Sequence, residues 1–216
     1  MGGLKGIFLL NELPTKAFIC SKEYDIRHDY RISVLYEALM GDLDIDDEEK
    51  CRLAIALYFV DFPQAFCRLQ SPQFKAALEW IAWFYSAGEY DPRRIRRKGA
   101  AASPAFSLIH DGGLIYAAFM KDYGIDLHKE GLHWWKFRAL LEGLSDECKF
   151  KQAMSFRAMD TARMGKEKSE QRAFVRRMKR AYALPDRNKE AEKEAALERL
   201  FKGGFTADGC NEDENN

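Results

Sequence analysis

The sequence lacks any apolar run long enough for a membrane helix. Its longest strongly apolar stretch is Leu53 to Val60, eight residues, against the ~18 that a span requires. Net charge is also missing. Lys plus Arg and Asp plus Glu stand at 34 each, which argues against a general nucleic-acid or membrane-surface role while leaving local patches open. The cysteines are Cys20, Cys51, Cys67, Cys148 and Cys210. They are odd in number and form no CxxC pair, so free, mostly buried thiols in a reducing compartment are expected. There is no GxGxxG, Walker loop, GxSxG or HExxH, so no nucleotide-, hydrolase- or zinc-protease-type constellation is marked. The opening MGGLKGIFLLNE carries one lysine and a five-residue apolar run, too short for a signal peptide. Gly6 also stands where a myristoylation signal needs Ser or Thr.

What is present suits a folded helical protein. The 216 residues are 47% hydrophobic and 13% aromatic, enough for a sizeable core in one domain with an added tail. Residues 14–26 read as a small hairpin, with Ala17 to Cys20 as an apolar strand and Ser21-Lys22-Glu23 as its turn. Helix signals follow. Asp29 caps a helix with Ile32, Leu35, Tyr36 and Leu39 on one face, ended by Gly41. Asp46 caps the next, with acids in its first turn, an apolar body from Cys51 to Val60, and Pro63 closing it. Ser71 and Pro72 open the clearest helix, whose stripe is Phe74, Ala77, Leu78, Ile81, Phe84 and Tyr85 and whose end is marked by Gly88.

Residues 89–104 read as a loop. A helix starts between Ser107 and Asp111 and turns Leu114, Ile115, Ala118 and Phe119 inward. Ser145 is expected to cap a helix with Phe150, Ala153, Met154 and Ala158 inside, and a last helix covers roughly Lys166 to Tyr182. The fold class is therefore mainly α: about six to seven helices with a small N-terminal β-hairpin and a charged C-terminal helical appendage. The expected divisions are a helical domain over 12–185, the appendage over 186–204 anchored by Leu197, Leu200 and Phe201, and a disordered tail over 205–216.

Four features carry possible chemistry. Asp42, Asp44 and Asp46 match the first calcium-loop positions, but Asp47 and Leu53 occupy the diagnostic glycine and acid positions. A helix start favoured by the dipole explains the run. His28 and His110 stand alone, His128 and His133 do not share a helix face, and His110-Asp111 lacks the rest of a catalytic set, so neither metal nor catalysis is expected. Basic residues cluster at 93–98, and between Arg157 and Arg180 nine basic residues face three acidic ones. Phosphate binding there is a possible but weaker reading than a solvated face, because no aromatics are interleaved in the loop.

The fourth feature is HWW at His133 to Trp135. Trp134, Phe137, Leu141 and Leu144 fall on one helix face, which predicts core. Trp135 lies off that seam. Its ring is either covered by another element of the same domain or offered to a partner, with Lys136 and Arg138 beside it as polar support.

The blocks LPTKAFICSKEYDIRHDYRI, LIYAAFMKDYGIDL, LHWWKFRALLEGL, KFKQAMSFRAMD and MKRAYALP occur in that order. Together they resemble the bacteriophage Gp-fifteen family, small proteins of tailed phages and prophages of Gram-positive bacteria. The resemblance covers about residues 12–185 and is most specific from Ile115 to Leu144. The loop RRIRRKGAAASP and everything after Pro185 fall outside it, and HDGG at His110 to Gly113 departs from the usual helix start.

The resemblance implies a role in virion morphogenesis. Genes of the family lie between those of the major tail subunit and the tape measure, where tail assembly chaperones are encoded. A chaperone of that kind binds the tape-measure protein, recruits tail-tube subunits in the host cytoplasm and leaves the finished particle. Asp111, Tyr123, Asp126, His133, Trp134, Trp135, Phe137 and Arg157 match family-typical positions whose role is expected to be fold. No catalytic residue, cofactor or metal carries over. Expected partners are the tape-measure protein, the major tail subunit and a second copy of this chain. The alternatives are a structural part of the tail or head–tail joint, and a nucleic-acid binder through residues 93–98 and 157–180.

Overall fold

The structure is a computed structural model that describes residues 12–63, 71–89, 105–161 and 169–185. The basic cluster at 93–98, Cys67, Cys210, the appendage at 186–204 and the tail at 205–216 lie outside the described residues. Within them the chain forms a two-stranded hairpin and seven helices.

Strands β1 (Lys16–Ile19) and β2 (Lys22–Asp25) pair antiparallel, with Ala17 opposite Tyr24 and Ile19 opposite Lys22. The turn is two residues, Cys20 and Ser21, both with positive φ (46° and 67°). This backbone matches the twist of a tight hairpin. Alternation puts Ala17, Ile19 and Tyr24 into the core and leaves Phe18 61% exposed. Among the described cysteines, the expectation of buried thiols holds for Cys148 only: Cys20 is exposed at the turn and Cys51 is intermediate.

Helices α1 (Tyr30–Gly41) and α2 (Asp47–Tyr58) begin at the predicted caps. Asp29 accepts from the Arg31 N–H, and Asp46 accepts from the Glu48 and Glu49 N–H groups. The inward face of α1 is rotated from the predicted stripe. Tyr30 and Ser33 are buried, whereas Leu35 is 52% exposed. Ser33 occupies the core because its hydroxyl lies 2.9 Å from the buried Tyr58 hydroxyl, so the polar group is not left unpaired. Helix α2 ends at Tyr58, well before Pro63. Phe59 turns extended and bridges Ile26, and the Arg27 guanidinium donates to the carbonyls of Ala56, Leu57 and Phe59. These are the acceptors a helix end leaves open.

Helix α3 (Pro72–Tyr85) has Ser71 at its cap and buries Phe74, Ala77, Ile81 and Phe84. Helix α4 (Gly112–Tyr123) starts after Asp111 without a side-chain cap bond and ends at Gly124, whose φ of +67° only glycine adopts easily. Helix α5 (Trp134–Glu142) buries Trp134, Phe137 and Leu141, as its spacing predicts.

Helix α6 (Lys149–Ala158) is capped by Cys148, not by Ser145. Ser145 makes the turn before it: its hydroxyl accepts from the Glu147 N–H and its own N–H donates to Asp122. Phe150 and Ala153 are buried and Met154 is intermediate, but Ala158 is exposed because the helix ends there. Helix α7 (Ser169–Ala181) packs on α6 through Phe156, whose ring meets those of Phe174 and Tyr182. One apolar cluster joins the hairpin with α1 to α6.

The hairpin turn gives a direct test. Cys20→Asn with Ser21→Gly supplies residues suited to both positive φ angles, so stability should rise by about 1 kcal/mol. A urea midpoint lower than that of the parent would contradict this turn geometry.

Candidate functional site

The predicted residues concentrate around the start of α5. Trp134 is 2% exposed and lies between Tyr85 and Phe137, stacked on both at ring distances of 5.2 and 5.8 Å. Its indole N–H donates to the Tyr85 carbonyl at 2.9 Å. Trp135 is half-buried, and its indole N–H donates to the neighbouring Phe84 carbonyl at 2.8 Å. Its ring meets Trp83 edge to face, and a Cβ on Gly88 would stand 3.3 Å from its Cη2 atom. Gly88 is thus required twice, by its φ of +82° and by this approach.

Arg138 completes the arrangement. Its Nη1 donates to the Tyr85 carbonyl at 3.2 Å, and its Nη2 pairs with Glu142. Two indoles and one guanidinium therefore reach the last two carbonyls of α3: Tyr85 receives Trp134 and Arg138, and Phe84 receives Trp135 together with the Ala87 N–H at 3.0 Å. The positive Arg138 also suits the negative end of the α3 dipole. Lys136 is exposed.

His133 holds the clamp from the other side. Its Nδ1 accepts from the Trp135 backbone N–H at 3.1 Å, and its Nε2 lies 2.9 Å from the Pro14 carbonyl. The ring stacks on His28 at 5.1 Å, a neighbour that the sequence reading treats as isolated. Burial above all, with His28 and Lys136 adding to it, keeps this imidazole below the ordinary histidine value, against the opposing pull of the Pro14 carbonyl.

A second polar assembly lies one layer away. Arg157 and Asp111 form a two-pronged ion pair at 2.6 and 2.7 Å with side chains 11% and 4% exposed. Arg157 also donates to the carbonyls of Tyr182 and Ala105, and Asp111 accepts from the Ser107 N–H. Burial pushes the Asp111 carboxyl up, but Arg157 and the Ser107 N–H outweigh it and hold the group below the usual carboxylate range.

Glu37 extends the network. It accepts from the Tyr85 hydroxyl, the Ser107 hydroxyl and the Leu108 N–H. Sequence reasoning missed it, although it is the only acid in α1, and an acid alone in an apolar helix is a signal of a buried partner. Tyr123 and Asp126 serve local structure. The Tyr123 hydroxyl donates to Leu140, and Asp126 accepts from the His128 N–H and the Tyr116 hydroxyl.

Between the clamp and this network runs a groove of about 320 Å³. Its apolar lining includes Phe106, Leu108, Leu141 and Met154, and Arg138, Glu142 and Lys151 stand along its sides. Such a shape can take an apolar ridge flanked by polar groups. Of the basic residues between 157 and 180, Arg157 is committed to Asp111 and Lys179 donates to the Met159 carbonyl, while Arg176, Arg177 and Arg180 are exposed. No group of three or more His, Cys, Asp or Glu able to hold a metal occurs among the described residues, and none of their helices is long and apolar enough to cross a membrane.

The ion pair yields a prediction. Asp111→Asn leaves the Arg157 charge buried without its counter-ion, which should cost about 3–5 kcal/mol, whereas Asp111→Leu with Arg157→Met should recover most of that loss. Because the folded Asp111 pKa is lowered, its contribution is present above about pH 4 and is lost as pH falls through the folded value. Chemical denaturation of the three proteins at pH 7 and pH 3 reads both effects. Equal stability of the parent and Asp111→Asn at pH 7 would overturn this role.

No curated protein and no solved structure matches the chain. A family model described as Bacteriophage Gp15 protein matches residues 9–184. That span takes in the hairpin, all seven helices, the Trp134–Trp135 clamp and the Asp111–Arg157 pair. The chain therefore belongs to the Bacteriophage Gp15 protein family.

Proposed function

We propose that this phage protein is a non-enzymatic tail assembly chaperone that binds the tape-measure protein, and through it the major tail subunit, in the cytoplasm of the bacterial host. Family membership supports a structural or morphogenetic role. The observation that carries the finer reading is the groove beside Arg138. Its lining is apolar and its sides are charged, the surface that an amphipathic helix of a long partner fits.

In this reading α5 presents three residues to the partner. Lys136 is exposed, Trp135 is half-buried, and Arg138 lies on the groove wall. Trp135 and Arg138 also cap α3, so replacing either one changes stability together with binding. Lys136 separates the two effects.

Co-expression tests the role. The tagged chain is produced with the tape-measure protein encoded beside it, and solubility and co-purification are measured. The expected result is a soluble tape measure carrying several copies of this chain. Lys136→Glu should weaken capture several-fold and change its salt dependence, because it alters a rim charge, with the melting temperature not lowered, since an acid suits the first turn of α5. An insoluble tape measure and a tagged chain that elutes alone would contradict the proposal. Stoichiometric amounts of the chain in purified virions would instead assign it to the tail structure.

A further inference from the structure

His133 has no freedom in where its proton sits. Nδ1 faces a backbone N–H, from Trp135, which can only donate. Nε2 faces a backbone carbonyl, from Pro14, which can only accept. The ring is therefore neutral with its hydrogen on Nε2, and it joins two distant parts of the chain: the strap before β1 and the first turn of α5. A second proton has only Nδ1 to go to, where it would face the Trp135 N–H.

The surroundings oppose that proton from every side. The site is the N-terminus of α5, where the helix dipole disfavours positive charge. Lys136 of the same helix is close enough to act on the ring, and His28, from the segment before α1, stacks on it. On the α3 side the ring meets Phe84, at 5.6 Å. Asp29 pairs with the His133 backbone, but its carboxylate is spent on the N–H and guanidinium of Arg31. The His28 Nδ1 is buried with no partner among the described residues.

We propose that the His133 bridge is an acid-sensitive latch, closed while its ring is neutral, that ties the Pro14 strap to α5 and opens on protonation. Opening removes the cap of α5 and frees the Trp135 backbone N–H. It thereby loosens the indoles of Trp134 and Trp135 on the end of α3. The direction follows from the lowered folded pKa of His133. The latch is fully closed above the ordinary histidine value of about 6.5 and is lost as pH falls from there through the folded value.

The test uses the full chain and needs no partner, so its outcome is independent of the chaperone reading. Nitrogen-detected NMR of the imidazoles should show His133 as the Nε2–H tautomer at pH 7.5. Exchange of the Trp135 amide, corrected for the intrinsic pH effect, should quicken by about tenfold or more between pH 7.5 and pH 5. His133→Asn keeps a side-chain acceptor for the cap and has nothing to titrate, so its corrected exchange should stay flat over the same range. An Nδ1–H tautomer in the parent, or equal Trp135 protection at both pH values, would overturn the proposal. So would a variant that opens with the same pH profile. The parent measurements stand alone if the variant does not fold.

Discussion

The structure depends on how the end of α3 is closed. A helix leaves its last carbonyls without partners, and burying them that way costs roughly 1–3 kcal/mol each. Here the last two are reached by side chains from α5, a helix about fifty residues further along the chain, and Phe84 shares its carbonyl with the Ala87 N–H. The Trp134 indole takes Tyr85, the Trp135 indole takes Phe84, and Arg138 shares Tyr85. Consecutive carbonyls at a helix end point in different directions, as do consecutive side chains at a helix start. Two adjacent tryptophans thus serve two adjacent carbonyls, which one tryptophan could not do. Both bury a large ring while placing the N–H where it is needed.

The remaining polar contacts work to the same end. Glu37 links the Tyr85 hydroxyl to the Ser107–Leu108 segment, Asp111 receives Ser107, and Arg157 ties Asp111 to the carbonyls of Ala105 and Tyr182. The chain of contacts runs from α1 across the start of α4 to α6 and the end of α7. Each member is satisfied by more than one partner, so a buried charge defines geometry here and is not left uncompensated. Trp134 and Arg138 of the clamp and Glu37 of the network line one groove. A binding surface set between rigid walls loses little ordering entropy when a partner helix enters, which is the physical content of the chaperone reading.

Much of this architecture could be read from the residues. Asp29, Asp46 and Ser71 are caps because short polar side chains before apolar periodicity have few other uses. Trp134, Phe137, Leu141 and Leu144 share a face by spacing alone. Misreadings fell where tertiary contacts override local preference. Leu35 is exposed because the Ser33–Tyr58 hydroxyl pair turns α1 by part of a turn. Cys148 displaces Ser145 as a cap because Asp122 holds Ser145 in the preceding turn. Glu37, Ser107 and the His28–His133 stack were not legible, since each depends on a partner between 48 and 105 positions away. The family resemblance identified Asp111 and Arg157 as typical positions, but only the geometry joins them.

The most direct test of the clamp is a double-mutant cycle at Trp134 and Trp135, each changed to Phe, read by urea unfolding at neutral pH. Each substitution keeps an aromatic ring and removes the N–H that closes α3. The account predicts that each single variant loses about 1–2 kcal/mol, because Arg138 still reaches Tyr85 and the Ala87 N–H still reaches Phe84, with a coupling between them of at least about 0.5 kcal/mol because they serve one helix end. Losses within about 0.5 kcal/mol for both single variants, or strict additivity in the double variant, would contradict the claim that these two side chains act together to close α3.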